Sequence, residues 1–179
     1  PLKFDKAFSV NQKESSVYIK RCLDVGHRLC LQKKIKGIIN CSINKRNIFK
    51  NKNLGVTEYL ALKNKIKKSE VMVIYNKELS VVPLTTHIKL KDVPKNIKKD
   101  ILIKKIRTLY KDYKKYFNKY PRIAVLGLNP HNFELKRKSE EMQIIVPVIK
   151  RLKKNYKVSG PFPSDTIFIR ENLKKFDVI

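Results

Sequence analysis

The chain has 179 residues, of which 42% are hydrophobic, and its formal net charge is +27. This length can bury a core as one domain or as parts of two. The sequence contains no apolar run of membrane-spanning length and no signal-peptide pattern, which excludes the membrane classes. Its three cysteines show neither C-x-x-C spacing nor an even disulfide framework. Reduced thiols and a cytoplasmic location are therefore predicted.

The positive charge has three competing interpretations. A basic protein can bind nucleic acid, or it can bind an anionic membrane or phosphorylated small molecules. The charge can also reflect a codon-biased genome that fills solvated positions with lysine. However, lysine greatly outnumbers arginine, and the lysines are spread over every segment together with abundant isoleucine and asparagine. Nucleic-acid readers rely on arginine for bidentate contacts. Solvated lysine faces are favoured, and a basic nucleic-acid-binding module stays open as an alternative.

The first third of the chain predicts two helices around a strand. Apolar spacing predicts a helix over Ser15–Lys33, capped by Ser15 or Ser16. The apolar run Gly37–Ile43 then predicts a short buried strand. A second, short helix is predicted to begin near Thr57.

The middle of the chain predicts two strands and the longest helix. Val71–Tyr75 and Leu79–Leu84 are rich in β-formers, and residues 76–78 separate them as in a hairpin or a strand change. A helix is predicted to start at Asp92, which can cap it, and to end at Pro121.

The last third alternates again between strand and helix. Ile123–Leu128 predicts a strand, Ser139–Lys154 a helix kinked at Pro147, and Ser159–Asp165 a rigid loop. This alternation of strands and helices favours a layered α/β fold with a sheet and flanking helices.

Two of the three histidines follow apolar runs directly. His87 ends the run Val-Val-Pro-Leu-Thr-Thr-His, and His131 follows the turn Gly-Leu-Asn-Pro after the predicted strand. Imidazole is a common ligand of divalent metals, so a shared site is one interpretation. A pair of hydrogen-bonded loop histidines is the other. His27 lies inside the first helix and is interpreted as structural or solvated.

Other catalytic patterns are missing from the sequence. The five glycines form neither a G-x-G-x-x-G nor a G-x-x-x-x-G-K motif, which excludes an ordinary dinucleotide or P-loop site. No Ser-His-Asp or Cys-His pattern stands out. Glu134, Glu140 and Glu141 are interpreted as a helix-capping region.

Several motifs together resemble one enzyme family, the 4-hydroxythreonine-4-phosphate dehydrogenases of vitamin B6 (pyridoxal phosphate) synthesis. The motifs are, in chain order, Gly55-Val-Thr-Glu58, Pro83-Leu-Thr-Thr-His87, Lys91-Asp-Val-Pro94, Leu126-Gly-Leu-Asn-Pro-His131, Ser139-Glu-Glu and Gly160-Pro-Phe-Pro-Ser-Asp-Thr-Ile-Phe168. The resemblance covers nearly the whole chain and is firmest from Gly55 onward.

The resemblance implies a fold like that of isocitrate and isopropylmalate dehydrogenases, incomplete here at both ends. Residues 1–54 would be the remnant of a first α/β domain, and residues 55–179 most of the metal- and substrate-side domain. Members of the family are homodimeric, NAD-dependent oxidoreductases. They oxidise a phosphorylated hydroxy-amino acid, 4-phosphooxy-L-threonine, which then loses CO2.

The resemblance also implies a site. His87 and His131 match two of three histidines that hold a divalent metal (Zn, Mg or Co), and the third ligand would lie beyond Ile179. Thr57 matches a substrate contact, whereas Val56 stands where the family has histidine. A dehydrogenase of another phosphorylated hydroxy acid therefore stays open, and the chain alone is expected to be inactive.

Overall fold

A computed structural model describes residue 6 and residues 9–49, 55–66, 69–130 and 138–179. The chain divides into two compact units, Pro1–Lys65 and Ile66–Ile179. The division into a first-domain remnant over residues 1–54 and a metal-side domain over residues 55–179 stays a prediction.

The first unit begins with helix α1, Gln12–Leu31. The predicted helix is confirmed, but the predicted cap is wrong because the helix starts three residues earlier. The side chain of Asn11 accepts the backbone N–H of Lys13 at 2.9 Å, which makes Asn11 the N-cap. The hydroxyl groups of Ser15 and Ser16 lie inside the helix and donate to the carbonyl of Gln12.

Two short helices, α2 (Lys45–Ile48) and α3 (Val56–Lys63), follow in this unit. The helix predicted near Thr57 is confirmed, with Gly55 as its N-cap. The buried members of the local core come from all three helices and the residue after α2: Leu23, Ile48, Phe49 and Tyr59. We call this set the Leu23 cluster.

The strand predicted over Gly37–Ile43 is wrong. This segment is irregular, and Ile39 is wholly exposed. Within the described residues of this unit no strand lies beside it, so its backbone has no ladder partner. A strand needs such a partner as well as β-forming residues.

The second unit is built on a small parallel sheet. Strand β1 (Ile123–Leu126) pairs in parallel with strand β2 (Val158–Phe162). On the other side of β1, Val178 forms parallel bridges to both Ile123 and Ser80. The segment around Ser80, Val178, β1 and β2 therefore lie side by side with the same direction.

The chain before Ser80 turns back as a hairpin, which confirms one of the two predicted connections. Ile74 and Val81 exchange backbone hydrogen bonds of 2.8 and 2.9 Å as an antiparallel bridge. The backbone N–H of Glu78 donates to the Asn76 side chain at 2.9 Å and closes the turn.

The longest predicted helix is interrupted near its start. A 3₁₀ turn (Leu90–Asp92) leads into α4 (Val93–Asn96), and α5 (Lys99–Phe117) begins only after Ile97 and Lys98 adopt extended backbone. Burial of Ile97 accompanies this break.

The ends of this helical segment also differ from the prediction. The Asp92 side chain makes no capping bond to α4. Helix α5 ends at Phe117 because Asn118 adopts a left-handed backbone (φ 52°), before Pro121 is reached.

The helix predicted over Ser139–Lys154 is present with an irregular first turn. A π-helical turn, Glu141–Ile145, runs into α6, Val146–Leu152. Pro147, the predicted kink, lies in the first turn of α6, where its missing N–H is tolerated.

The sheet is packed on both faces. One face carries the main core, which joins the sheet to α5 and α6: Leu102, Ile106, Leu109, Ile123, Ile145, Val148, Ile149, Leu152, Val158 and Val178. Ala124 faces the opposite side, as alternation along a strand requires, and packs there with Ile167 and Ile179. The predicted α/β class is confirmed, and the likeness to isocitrate dehydrogenase stays a prediction.

The rigid loop predicted over Ser159–Asp165 is partly wrong because its first residues belong to β2. Pairing with β1 explains the difference, since this partner cannot be read from local sequence. A turn follows at residues 164–168, and a short helix α7 covers Arg170–Leu173. None of the helices in the described ranges has the length and apolarity needed to cross a bilayer.

Candidate metal and substrate site

His87 lies on an exposed corner after the strand segment around Ser80. Its backbone is left-handed (φ 56°), a conformation that costs energy for a residue with a Cβ and that occurs frequently at functional sites. Among the described residues the ring has no hydrogen-bond partner. Within the part of the chain that the structure describes, the imidazole nitrogens are therefore available to bind a ligand.

The backbone of the turn after β1 is held by hydrogen bonds to two groups that lie elsewhere in the chain. The backbone N–H of Gly127 donates to the carbonyl of Phe162 at 2.9 Å. The next two N–H groups, of Leu128 and Asn129, both donate to Oε1 of Glu141, at 2.8 and 3.0 Å. The predicted ligand His131 lies outside the described residues, two positions after Asn129.

Glu141 is a residue whose role the sequence did not reveal. Only 4% of it is exposed. Burial alone would raise the pKa of its carboxyl, but the backbone N–H groups of Asn129, Glu141 and Leu128, with the Ser139 hydroxyl, hold that pKa below its usual value. Glu141 caps the turn after β1 and not merely a helix, as was predicted from its position beside Ser139.

The segment that leads to His87 and the turn after β1, which precedes His131 in the sequence, leave the sheet at the same edge. The strand segment at Ser80 and strand β1 both run parallel to Val178, which lies between them. Parallel strands have their carboxyl ends on one edge, and ligands of α/β proteins bind there. His87 follows the first of these strands and His131 the second.

A cleft at this edge is shared by both segments. Thr85 and the pair Gly127 and Leu128 line the same cavity of about 350 Å³. Lys105 of α5 also lines it, and its Nζ lies 3.4 Å from the carbonyl oxygen of Pro83. The remaining lining is mostly apolar, which suits a site that excludes water and holds few polar groups.

The predicted substrate residues lie in the first unit, at the start of α3. Val56 is half-buried and packs against the Leu23 cluster, whereas Thr57 is exposed in the first helical turn. The backbone N–H of Gly55 donates to the carboxylate of Glu58 at 2.9 Å, so this helix start already holds an internal anion. The part of Val56 and Thr57 in substrate binding stays a prediction.

The described residues alone do not complete a metal site. Among them, no group of three His, Cys, Asp or Glu side chains is close enough to hold an ion. His27 lies 3.1 Å from the Asn64 side chain through Nε2, in agreement with its structural interpretation. The donor type at His87 suits a divalent metal, and the remaining ligands stay predictions.

Comparison with known proteins decides the family. The sequence model of the family described as "Pyridoxal phosphate biosynthetic protein PdxA" matches residues 2–179. The chain belongs to the PdxA family. The resemblance seen in the Asn-Pro-His and Gly-Pro-x-x-x-Asp-Thr motifs is thereby confirmed.

Named PdxA relatives agree with this assignment. The chain is 44% identical over 117 residues to the 4-hydroxythreonine-4-phosphate dehydrogenase of Aquifex aeolicus, covering 64% of this chain and 36% of that protein. It is 36% identical over 183 residues to the enzyme of that name from Sulfurihydrogenibium sp., covering 99% of this chain and 54% of the relative. The chain thus spans between a third and about half of these proteins.

A solved PdxA-family structure shares the fold. The 4-hydroxythreonine-4-phosphate dehydrogenase of Klebsiella pneumoniae superposes with a TM-score of 0.83 at 27% identity, covering 93% of this chain and 52% of that one. The fold described above is therefore similar to that of this PdxA-family protein.

Proposed function

We propose that this chain is the central part of an NAD- and divalent-metal-dependent dehydrogenase. Its substrate would be 4-phosphooxy-L-threonine, oxidised and then decarboxylated in the synthesis of vitamin B6 and pyridoxal 5'-phosphate. The observation that carries the proposal is that the segment leading to His87 and the turn after β1, which precedes His131 in the sequence, lie at one sheet edge and line one cleft. The whole protein would act as a cytoplasmic homodimer.

In this proposal His87 and His131 hold the metal, which can be Zn, Mg or Co. The exposed, unpartnered ring described for His87 supports its part. A third ligand just after Ile179 would leave the sheet between the other two, because Val178 lies between their strands. When bound, the metal would supply Lewis-acid polarisation of the substrate hydroxyl.

The chain's own residues would bind and orient the substrate. The Thr57 hydroxyl is exposed and can donate to a phosphate or carboxylate oxygen. The net charge of +27 favours approach of a doubly anionic substrate. The largely apolar cleft at Thr85 and Leu128 would keep water from the reacting carbon. NAD would bind without a glycine fingerprint, since the chain has none.

Val56 supports a second candidate, a dehydrogenase of another phosphorylated hydroxy acid. The family places histidine at this position, and here a half-buried valine packs against the Leu23 cluster. An apolar side chain at this point can neither donate a hydrogen bond to the substrate nor accept one from its ammonium group. A substrate without the amino group, such as a threonate or erythronate phosphate, would lose less by this change.

A substrate comparison separates the two candidates. The full-length protein is assayed by NADH absorbance with 4-phosphooxy-L-threonine and with 4-phosphoerythronate, before and after removal of metal by a chelator. The proposal predicts metal-dependent turnover that is faster with the amino acid. Faster turnover of the erythronate would favour the second candidate, and metal-independent turnover of either would contradict the metal role. The His87→Asn variant is expected to lose this activity. The matched control, His27→Asn, is expected to keep it.

A further inference from the structure

We propose that the end of helix α5 is a binding surface for single-stranded nucleic acid, in addition to the candidate metal and substrate site. The observation that carries the proposal is a group of exposed aromatic rings that lie beside lysine side chains at this end of the helix. The rings, which we call the α5-end rings, belong to Tyr75, Tyr116, Phe117 and Tyr120. The inference does not depend on the proposed function.

Three of the α5-end rings are held in place by other rings. Tyr75 stacks on Phe117, with ring centroids 5.2 Å apart and an angle of 19° between the ring planes. Tyr120 stacks on Tyr110 at 4.9 Å, and Tyr110 meets Tyr156 edge to face. The four residues of the group are nevertheless 44–69% exposed. Ordered rings that face solvent are the platforms on which proteins stack unpaired bases.

Lysine side chains lie directly against these rings. The Nζ atom of Lys114 is 5.2 Å from the ring centroid of Tyr120, and that of Lys115 is 5.1 Å from the ring centroid of Tyr116. Lys111 lies one helical turn before Lys115 and is exposed. The ammonium groups can neutralise phosphates while the bases of the same strand stack on the rings.

The groups that oppose an anion at this position are weaker than the lysines. The carboxyl end of a helix carries about half a negative charge. Lys114 offsets it by donating to the carbonyl and side-chain oxygens of Asn118 at 3.1 and 3.0 Å. The carboxylate of Asp177 is already paired with basic side chains. Asp112 is the acidic residue of the stretch 110–122, whose basic residues are Lys111, Lys114, Lys115, Lys119 and Arg122.

The excess of lysine over arginine fits a surface that does not read base sequence. Readers of sequence need bidentate contacts to base edges, for which arginine is suited. A strand bound through its phosphates and by stacking needs only point charges and rings. Lysines alone are typical of a solvated helix face. The exposed rings beside them favour a ligand that is both anionic and aromatic, whereas an acidic peptide would use only the charge.

The surface lies away from the candidate metal and substrate site. Tyr120 is three residues before β1, so the end of α5 lies near the amino end of that strand. The cleft reaches Gly127 and Leu128, which follow the carboxyl end of the same strand. A nucleic acid bound at the α5-end rings would therefore leave the cleft accessible.

Fluorescence anisotropy of a labelled oligothymidylate, titrated with the full-length protein, tests the role of the rings. Tyr116→Ala is expected to weaken binding about 5- to 100-fold, the range that corresponds to loss of one base-stacking contact. Tyr116→Phe keeps the ring and should bind as the unaltered protein does. Tyr18→Ala is the matched control, because it removes an exposed tyrosine of α1 in the first unit. It should leave the affinity unchanged.

The salt dependence of the same binding separates a local surface from the overall charge. Each phosphate contact of a single strand adds about 0.7 to the slope of log affinity against log salt concentration, so Lys111→Gln/Lys115→Gln should lower this slope by about 1.4. Lys98→Gln/Lys99→Gln removes the same charge at the other end of α5, where both side chains are exposed. This control should keep the slope of the unaltered protein.

Several results would overturn the proposal. One is equal weakening by the two double variants together with unchanged binding by Tyr116→Ala, which would mean attraction to the net charge alone. Another is displacement of the oligonucleotide by polyglutamate as readily as by unlabelled oligothymidylate, which would assign the surface to acidic protein segments. Absence of binding to the unaltered protein at low salt is the third.

Thermal unfolding of each variant establishes that folded proteins are compared. If Tyr116→Ala fails to fold, Tyr75→Ala provides the same comparison, because Tyr75 is another of the α5-end rings. The expected result is loss of affinity in the ring and Lys111/Lys115 variants and its retention in the two matched controls. Dehydrogenase activity is not a readout of these experiments, so failure of the proposed function would leave their outcome unchanged.

Discussion

Asp177 shows how single residues fix the sheet that carries the site. Its carboxylate forms ion pairs with Lys119 at 2.8 Å and Arg122 at 3.1 Å, and it accepts the backbone N–H of Arg122. Burial opposes the charge, but the Arg122 and Lys119 bonds outweigh it and lower the pKa of Asp177 from 3.8 to about 2. This ties the chain before β1 to the chain around Val178.

Asp177 therefore predicts an acid dependence of stability. Because the folded-state pKa lies below that of the unfolded chain, ionised Asp177 stabilises the fold above about pH 4, and this contribution is lost as the pH falls toward 2. We expect Asp177→Asn to lower the free energy of unfolding at pH 7 by up to about 2 kcal/mol. The difference from the unaltered protein should shrink below pH 4.

Urea unfolding followed by circular dichroism from pH 7 to pH 2 measures this difference. Asp165→Asn is the control, because Asp165 is exposed and forms no ion pair among the described residues. The difference in the free energy of unfolding between Asp177→Asn and the unaltered protein could stay constant down to pH 2. That result would show that the charge of Asp177 is not the cause of the difference.

At the residue scale, the sequence pointed to His87 as a candidate ligand but not to the role of Glu141. His87 was predicted by its place after an apolar run, and the structure puts it on a corner beyond the sheet. Glu141 was not predicted because its partners, the N–H groups of Leu128 and Asn129, are backbone groups more than ten residues away. A pattern of residue types in the sequence cannot indicate a hydrogen bond to a distant backbone group.

At the scale of elements, helices were predicted well and strands less so. Helix α5 follows its apolar stripe, with Leu102, Ile106 and Leu109 buried, because helix periodicity is local. Strand β2 was interpreted as a loop and Gly37–Ile43 as a strand. Both errors have one cause, since a strand is defined by a distant partner.

Gly160 gives the sharpest prediction at this scale. It lies in β2 with φ at +127°, and a Cβ there would overlap the carbonyl oxygen of Val125 in β1. In Gly160→Ala, a residue with a Cβ would have to adopt a positive φ, and its Cβ would clash with the backbone of β1. We expect the free energy of unfolding to fall by more than about 2 kcal/mol.

Thermal and urea unfolding of the purified variant test this expectation. Gly37→Ala serves as the comparison, because no atom lies within 4 Å of a Cβ placed there. Equal stability of the Gly160 and Gly37 variants would mean that β2 does not approach β1 as described.

At the scale of the molecule, the charge of +27 does not by itself define a partner. Exposed basic side chains on the solvent side of α5 include Lys104, Arg107, Lys111 and Lys115. Such a face accompanies the buried stripe of any amphipathic helix. Family membership, shown over residues 2–179, favours a dehydrogenase over the nucleic-acid-binding module.

The layered architecture could be predicted only as a class from the sequence. Alternating strands and helices predicted α/β, whereas the order in which Ser80, Val178, β1 and β2 lie side by side depends on long-range pairing. That order places the end of β1 and the segment that leads to His87 at one edge. The shared cleft is therefore a structural result, and the ligand assignment is a proposal built on it.

The most direct test of the central claim is anomalous diffraction at the zinc edge from crystals of the full-length protein grown with Zn²⁺. If His87 and His131 share a metal ion, a single strong peak is expected about 2.0–2.1 Å from a ring nitrogen of each. A zinc peak elsewhere, or two imidazoles too far apart to share an ion, would contradict it.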